Sequence, residues 1–511
     1  MSERVHTVGG RPTPAGAAAL ERVVDELRKA TEKKILLHVH GGLVSAASAE
    51  RTADMFDRPL SSVNRVSYVP LEEAGWMVVH PIWHSGLIET VKEDWARIVK
   101  NILIGMGRDI VMRWLRRRVG VSGEKSVAVS PTYRPGMLPD YGNQDVETAP
   151  VAEIESRLTP REVALAEEIE EPSPGDELYD MLASDPDMKR EGDRIVAALA
   201  RASASSAEMT TGDAAAFQLL ADIDRDLVAQ IEASASATAF ASPDALAPLW
   251  FAFAKAGYRS LRRFLRRRDH GIPCTIVEEL ARTVYADLIG SEVWTSMKKH
   301  AEDHFAKDGA FTTLFAAISE IAAGGDDVRI LVVGHSAGSV MACRMLEAAA
   351  SLPRNITVDL VFEAPAVRIE RAAKALKVNV GRMDNIRIFT MDDEHEKADA
   401  LNGTIFGRIY PRSLLYLISG ALESTREDHR TDATLLGLER HISKLDDQWL
   451  VRSEREARDV VRQVLAKSPA RIVYAPNDGS EGHGSTAREH GGFSVDPSTV
   501  ESVRHIALNG Y

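Results

Sequence analysis

Cysteine is nearly missing from this chain: Cys274 and Cys343 are the only two in 511 residues, and they lie far apart. That excludes a disulfide framework or a cysteine-built metal cluster and points to a reducing compartment, the cytoplasm. Long apolar runs are missing as well. The nearest, residues 245–256, is too short to cross a bilayer and is interrupted by Pro248 and Lys255. Residues 1–17 mix charge, glycine and proline without the apolar stretch of a signal peptide, so a soluble cytoplasmic protein is expected. Nor is there an excess of positive charge. A net charge of -13 speaks against a general nucleic-acid binder. What is present is ordinary for a globular chain, 44% hydrophobic and 27% charged residues, and long enough for a large enzyme with an insertion or for two to three domains.

The strongest local pattern is residues 328–339. A six-residue, mostly apolar and β-branched run leads into Gly334-His335-Ser336-Ala337-Gly338, and residues 340–350 follow with helical composition. This predicts a strand, a sharp turn with serine at its apex, and a helix. Small residues two positions either side of the serine let the strand and helix backbones approach closely. A chain with 35 glycines can produce Gly-x-Ser-x-Gly by coincidence, so the flanking strand and helix are what give the pattern weight. Cys343, seven residues after Ser336 on the helix behind the turn, reads as a small buried apolar residue.

Further strands are predicted at 34–39, 75–83, 357–362, 385–391 and 471–475. A helical pattern at 46–56 lies between the first two, making a βαβ unit and therefore a parallel sheet. Helices are expected at 16–31, 368–376, 410–422 and 433–465. A closing helix follows Asp496-Pro497, with Ser498 and Glu501 spaced as a capping box. His80 and His84 have a spacing that suits a helix face, whereas the pattern there is a strand, which argues against a metal pair.

Between about residues 87 and 325 the strand signal fades. Helices are predicted at 108–118, 189–201, 214–232, 248–268 and 276–305, with an exposed loop at 130–150 and an acidic stretch at 162–180. A helical insertion accounts for this better than a structureless connection of such length. Two arginine-rich clusters, 113–118 and 259–268, fit a solvated face paired with the insertion's acidic segments, with anionic lipid as the lesser alternative.

Serine needs a neutral imidazole to take its proton, and the imidazole needs a carboxylate. Ser336, the acidic run after the 385–391 strand, and the histidines after the last strand supply these in the order serine, acid, histidine. In this the chain resembles the α/β-hydrolase superfamily, most closely its esterase and lipase branch. The resemblance implies an α/β fold with a mostly parallel sheet flanked by helices, residues 1–90 and 325–511 forming the core and 91–324 a helical cap. It implies Ser336 as nucleophile, His490 as base, and Asp393 as acid with Asp392 the alternative; Glu394 and Glu363 remain open. His490 is preferred to His483 because Gly491-Gly492 frees its loop, whereas His505 falls within the closing helix. His40-Gly41-Gly42 implies an oxyanion hole built from Gly41 or Gly42 together with Ala337, although Leu43 stands where the His-Gly-Gly-Gly esterases carry a third glycine. The antiparallel strands that commonly open that fold are not legible before Lys34. The implied activity is cleavage of a small-molecule acyl ester through an acyl-enzyme, with no cofactor or metal. An amidase, peptidase or thioesterase would use the same groups, and a catalytically silent fold binding a partner or membrane is the rival of another class.

Overall fold

The structure, a computed structural model, describes residues 1–42, 45–57, 70–83, 102–118, 176–203, 225–237, 246–284, 291–379, 383, 385–400, 410–423, 432–468 and 471–511. It is a mixed α/β protein. Eight strands form one sheet in the order β2-β1-β4-β3-β5-β6-β7-β8. They are β1 Ser2–Val8, β2 Arg11–Pro12, β3 Lys33–Val39, β4 Trp76–Trp83, β5 Val328–His335, β6 Ile356–Glu363, β7 Ile386–Met391 and β8 Ile472–Ala475. Every neighbouring pair is parallel except β1 and the two-residue β2.

A parallel sheet covered on both faces buries successive side chains to opposite sides. Ile35, Leu37, Ile330, Val332, Leu360 and Ile388 belong to one apolar cluster. Leu36, Leu331, Val333, Val361 and Phe389 belong to the other. Each such side chain taken from water contributes roughly 1.5–3 kcal/mol. This explains why β3, β5 and β6 read as continuous apolar runs.

All six strands expected from the sequence are present, and β1 is an addition. Ser-Glu-Arg-Val-His-Thr-Val has no apolar run; Val5 and Thr7 alone are fully buried, the period-two signature of a strand near the sheet margin. Its pairing with β2 supplies an antiparallel opening that the sequence had not shown. Helix Pro14–Lys29 follows, capped by Thr13 Oγ1 accepting from Gly16 N–H at 3.1 Å.

Between β4 and β5 the described residues hold helices and no strand: Ile102–Arg118, Glu177–Ser184, Pro186–Ser203, Arg225–Ala237, Ala247–Leu265, Ile272–Val284, Ser291–Asp303 and Ala310–Ala323. The predicted 276–305 helix is two helices here. The predicted 248–268 helix stops at Leu265, after which Arg267 takes a φ of 56°. The 130–150 loop, residues 162–175 and 214–224, and the side chains of Arg116, Arg117 and Arg118 lie outside what is described. In the 259–268 cluster two arginines turn inward: Arg263 and Arg268 have no exposed surface. No described helix is long and apolar enough to cross a membrane.

The predicted 433–465 helix is a correction. Only Arg452–Leu465 is α-helical; before it the chain makes a π turn at Arg440–Lys444 and a 3-10 turn at Asp447–Trp449. Tertiary contact overrides propensity there. A Cβ on Gly437 would stand 2.5 Å from the Pro365 main-chain oxygen, and Leu435 bridges to Arg368. The closing helix is Pro497–Asn509, and its cap is Asp496, which accepts the Thr499 N–H at 2.9 Å, so Ser498 and Glu501 do not form the capping box.

Candidate functional site

β5 delivers Ser336 to the C-terminal edge of the sheet. Ser336 has a φ of 51°, a left-handed conformation costly for a residue with a Cβ. Helix Gly338–Ala349 starts two residues later. The turn leaves no room on its inner side. A Cβ on Gly338 would lie 2.5 Å from Val39 O and 2.7 Å from His40 O, and one on Gly334 would lie 3.0 Å from Ala342 Cβ. The strain is held by backbone bonds to β6 and the segment after it: Ser336 N–H donates to Glu363 O at 2.9 Å, and Ala366 N–H donates to Ser336 O at 3.1 Å. Cys343, on the same helix, is buried and its thiol is pushed up to about 12 by burial.

His490 sits on the loop between β8 and the closing helix, 154 residues from Ser336. Its Nε2 lies 2.8 Å from Ser336 Oγ. Both groups of its peptide are held as well: the N–H donates to Asp399 Oδ2 at 2.7 Å, and the C=O accepts from His335 Nε2 at 3.0 Å. Burial, with the His335 imidazole adding, pushes the His490 ring down to about 3. It is therefore neutral at physiological pH and available as an acceptor. With Nε2 facing the hydroxyl, the ring proton belongs on Nδ1, which meets no partner among the described residues.

The sequence-derived acids are not brought to this ring. Asp392 caps helix Asp393–Ala398, accepting the His395 N–H at 2.8 Å. Asp393, in the first turn, accepts from Tyr416 Oη at 2.6 Å and pairs with Lys397 at 2.7 Å. Consecutive acidic residues at a helix N-terminus are held there by the helix dipole and free N–H groups. Asp399, just past that helix, is the carboxylate that touches the His490 residue. Burial pushes it up to about 6, Glu489 adding and the His490 N–H opposing. Glu363 is buried and bonded to Ser494, on the His490 loop. From the sequence Glu363 stands open as an acid, whereas Asp399 is not singled out within its acidic run, because a loop after a short helix is fixed only by tertiary contact.

Gly41, Gly42 and Ala337 are brought together beside Ser336. A Cβ on Gly41 would stand 3.3 Å from Ser336 Cβ and 3.1 Å from His335 Nδ1. One on Gly42 would stand 2.8 Å from Ala337 Cβ and collide with Met297 Sδ, so only glycine fits there. Ala337 caps the helix that follows, whose first-turn Ser339 and Val340 N–H groups already donate to Ser336 O and Ala337 O, each at 3.0 Å. Leu43 lies outside the described residues. His40 faces its own loop, Nδ1 being 2.7 Å from Gly41 O, and burial pushes it down to about 4. His483 is bonded to its own loop at Glu481 O, and His505 to Asn509 one turn along the closing helix.

Two histidine clusters bear on metal binding. His38 Nδ1 meets His80 Nδ1 at 3.1 Å, and His80 Nε2 meets Asp57 Oδ1 at 3.0 Å; His84 lies outside the described residues. Elsewhere His270, Asp432 and His441 converge with ligand atoms within 4.8 Å of one another. Their hydrogen bonds are those of an ion cluster. Leu435 N–H donates to His441 Nδ1 at 3.0 Å, so the His441 proton is on Nε2, which donates to Asp432 Oδ2 at 2.9 Å. A neutral histidine so protonated has no lone pair to give a cation at Nε2. Asp432 also accepts from Arg268, and His270 bridges Glu278 at 2.8 Å and Asp432 at 3.1 Å. The cluster joins the helices at 247–284 to residues 432–454.

What this site can do follows from elementary chemistry. A hydroxyl hydrogen-bonded to a buried, neutral imidazole can give up its proton to it. Comparisons with protein-family models, with curated proteins and with solved structures each return no match for this chain.

Proposed function

We propose that the protein is a serine hydrolase of the α/β-hydrolase type that cleaves an acyl ester. The observation that carries this reading is the 2.8 Å contact between Ser336 Oγ and His490 Nε2, made across 154 residues at the apex of a strained turn. Ser336 attacks the acyl carbon while His490 takes its proton. The oxygen that becomes negative is received by the N–H of Ala337 and that of Gly41 or Gly42. The protonated His490 then passes its proton to the leaving alcohol, and water activated by the same imidazole releases the acid. Asp399 is assigned as the supporting carboxylate in place of Asp393. It is 2.7 Å from the His490 main-chain N–H, on the residue whose ring faces Ser336.

That His490 Nδ1 meets no partner among the described residues is what speaks for the rival, a silent hydrolase fold. Reaction with a fluorophosphonate probe, followed by hydrolysis of short and long acyl esters, amides and thioesters, separates the two. The wild-type protein is expected to label and turn over esters, with Ser336→Ala losing both and Asp399→Asn losing about 10²–10⁴ in kcat while Asp393→Asn stays near wild type. Labelling of Ser336→Ala equal to wild type overturns the assignment, and absence of labelling in the wild type leaves the silent fold.

A further inference from the structure

Glu363 ends β6 with no exposed surface, yet its Oε1 meets no partner among the described residues. Its Oε2 accepts from Ser494 Oγ at 2.8 Å, and Ser494 lies four residues beyond His490 on the same loop. Its main-chain oxygen receives the Ser336 N–H at 2.9 Å. One residue therefore holds the serine by its backbone and the histidine's loop by its side chain. The segment that follows is itself pinned. Ala364 sits at a φ of 41° and donates to Phe389 O at 2.7 Å, while Ala366 N–H returns to Ser336 O.

Stability alone does not account for a carboxyl here. An apolar side chain of similar volume would avoid the desolvation cost of a half-satisfied acid. Burial holds Glu363 up at about 7, the Asp496 charge adding and the Ser494 hydroxyl opposing. The loop it reaches is irregular from 476 to 496. A long irregular segment places an imidazole accurately only if it is tied at several points, and misplacement by about 1 Å costs up to roughly 10² in rate.

We propose that Glu363 is a positioning residue for the reaction above, on which the inference rests: through Ser494 it fixes the His490 loop where the imidazole meets Ser336. The acceptor oxygen does this, so an amide serves nearly as well as a carboxyl. Glu363→Ala and Ser494→Ala are each expected to lower kcat on a p-nitrophenyl ester about 10–100-fold with KM within about threefold. The double variant loses no more than either alone. Glu363→Gln returns kcat to within about threefold of wild type. Amide hydrogen exchange over residues 489–495, which needs no turnover, quickens about tenfold in both alanine variants and stays slow in Glu363→Gln. Wild-type exchange in Ser494→Ala, which leaves the β6 core intact, overturns the proposal whether or not the protein is a hydrolase. So does Glu363→Gln as impaired as Glu363→Ala. A wild-type protein inert to esters and probe removes the hydrolase reading, and the exchange comparison then decides the tie by itself.

Discussion

Arg268→Met measures how far the helical segment's attachment rests on one buried guanidinium. All five of its N–H groups are used. Nε meets the Asp432 carboxylate, and Nη1 meets Trp449 O at 3.1 Å and Glu454 at 2.8 Å. Nη2 meets Asp432 O at 2.6 Å and Glu454 at 3.0 Å. Arg268 has no exposed surface, and Asp432 and Glu454 are 2% exposed each, so water cannot replace the lost donors. Methionine keeps most of the length and leaves only a modest cavity. A lost neutral hydrogen bond is worth about 1 kcal/mol, whereas stranding a buried charge costs about 3–5 kcal/mol, so the charge effect dominates. Urea unfolding followed by tryptophan fluorescence should show a loss of that size. Adding Asp432→Asn and Glu454→Gln should recover part of it by removing the stranded charges. Arg452→Met, at an exposed ion pair with Glu456, is the control and should leave the midpoint unmoved. An Arg268→Met midpoint as close to wild type as that control would refute the reasoning.

Gly41→Ala places a Cβ 3.3 Å from Ser336 Cβ, so ester hydrolysis should fall about 10–100-fold with little change in unfolding. Gly338→Ala meets main-chain oxygens at 2.5 and 2.7 Å and should cost about 1–3 kcal/mol of stability as well; equal behaviour of the two would contradict the geometry. Burial pushes His40 and His441 down to about 4 and His490 to about 3. Below an unfolded value near 6.5 the unfolded chain binds the more protons, so stability is fully present above that pH and is lost as pH falls. At pH 5 the loss is at most about 2 kcal/mol per imidazole, and urea midpoints that stay flat from pH 7.5 to 5 would exclude it. Glu396 has the opposite sign: burial pushes it up to about 8, so its stability is full below pH 4.5 and lost as pH rises. Glu396→Gln should accordingly raise the midpoint at pH 8 and leave it unchanged at pH 4, and a pH-independent effect would count against a buried neutral acid.

The parts of this protein legible in its sequence are those encoded by short, self-sufficient patterns. β3, β5 and β6 are covered on both faces and therefore read as apolar runs. The serine turn requires glycine at 334 and 338 because backbones touch there. β1 was illegible because two inward residues among charged ones give too little signal. The carboxylate proposed to support His490 was illegible for another reason. Asp392, Asp393 and Asp399 are chemically alike and lie within eight residues, and what separates them is a short helix that consumes the first two as its N-terminus. Glu363 carried the right chemistry at a strand end, but its partner Ser494 lies 131 residues away.

The arrangement of the sheet explains why so many of these groups meet at one edge. β3, β5, β6, β7 and β8 are successive neighbours and parallel, so their C-terminal ends lie side by side. Val39 is in register with Gly334, His335 with Glu363, Glu363 with Phe389, and Met391 with Ala475. Gly41, Ser336, Glu363, Asp399 and His490 each follow or finish one of these five strands. A parallel sheet places its strand-end loops on one side, where ligands bind in folds of this kind. The helical segment leaves from β4, beyond β3, and its Ser291–Asp303 helix brings Met297 against Gly42. In the proposed site the reacting groups then stand at the sheet edge, with Met297 of the helical segment beside Gly42. On the proposed reading, Met297→Ala should shift the ratio of kcat/KM between short and long acyl esters, and an unchanged ratio would refute a role for that side chain in substrate choice.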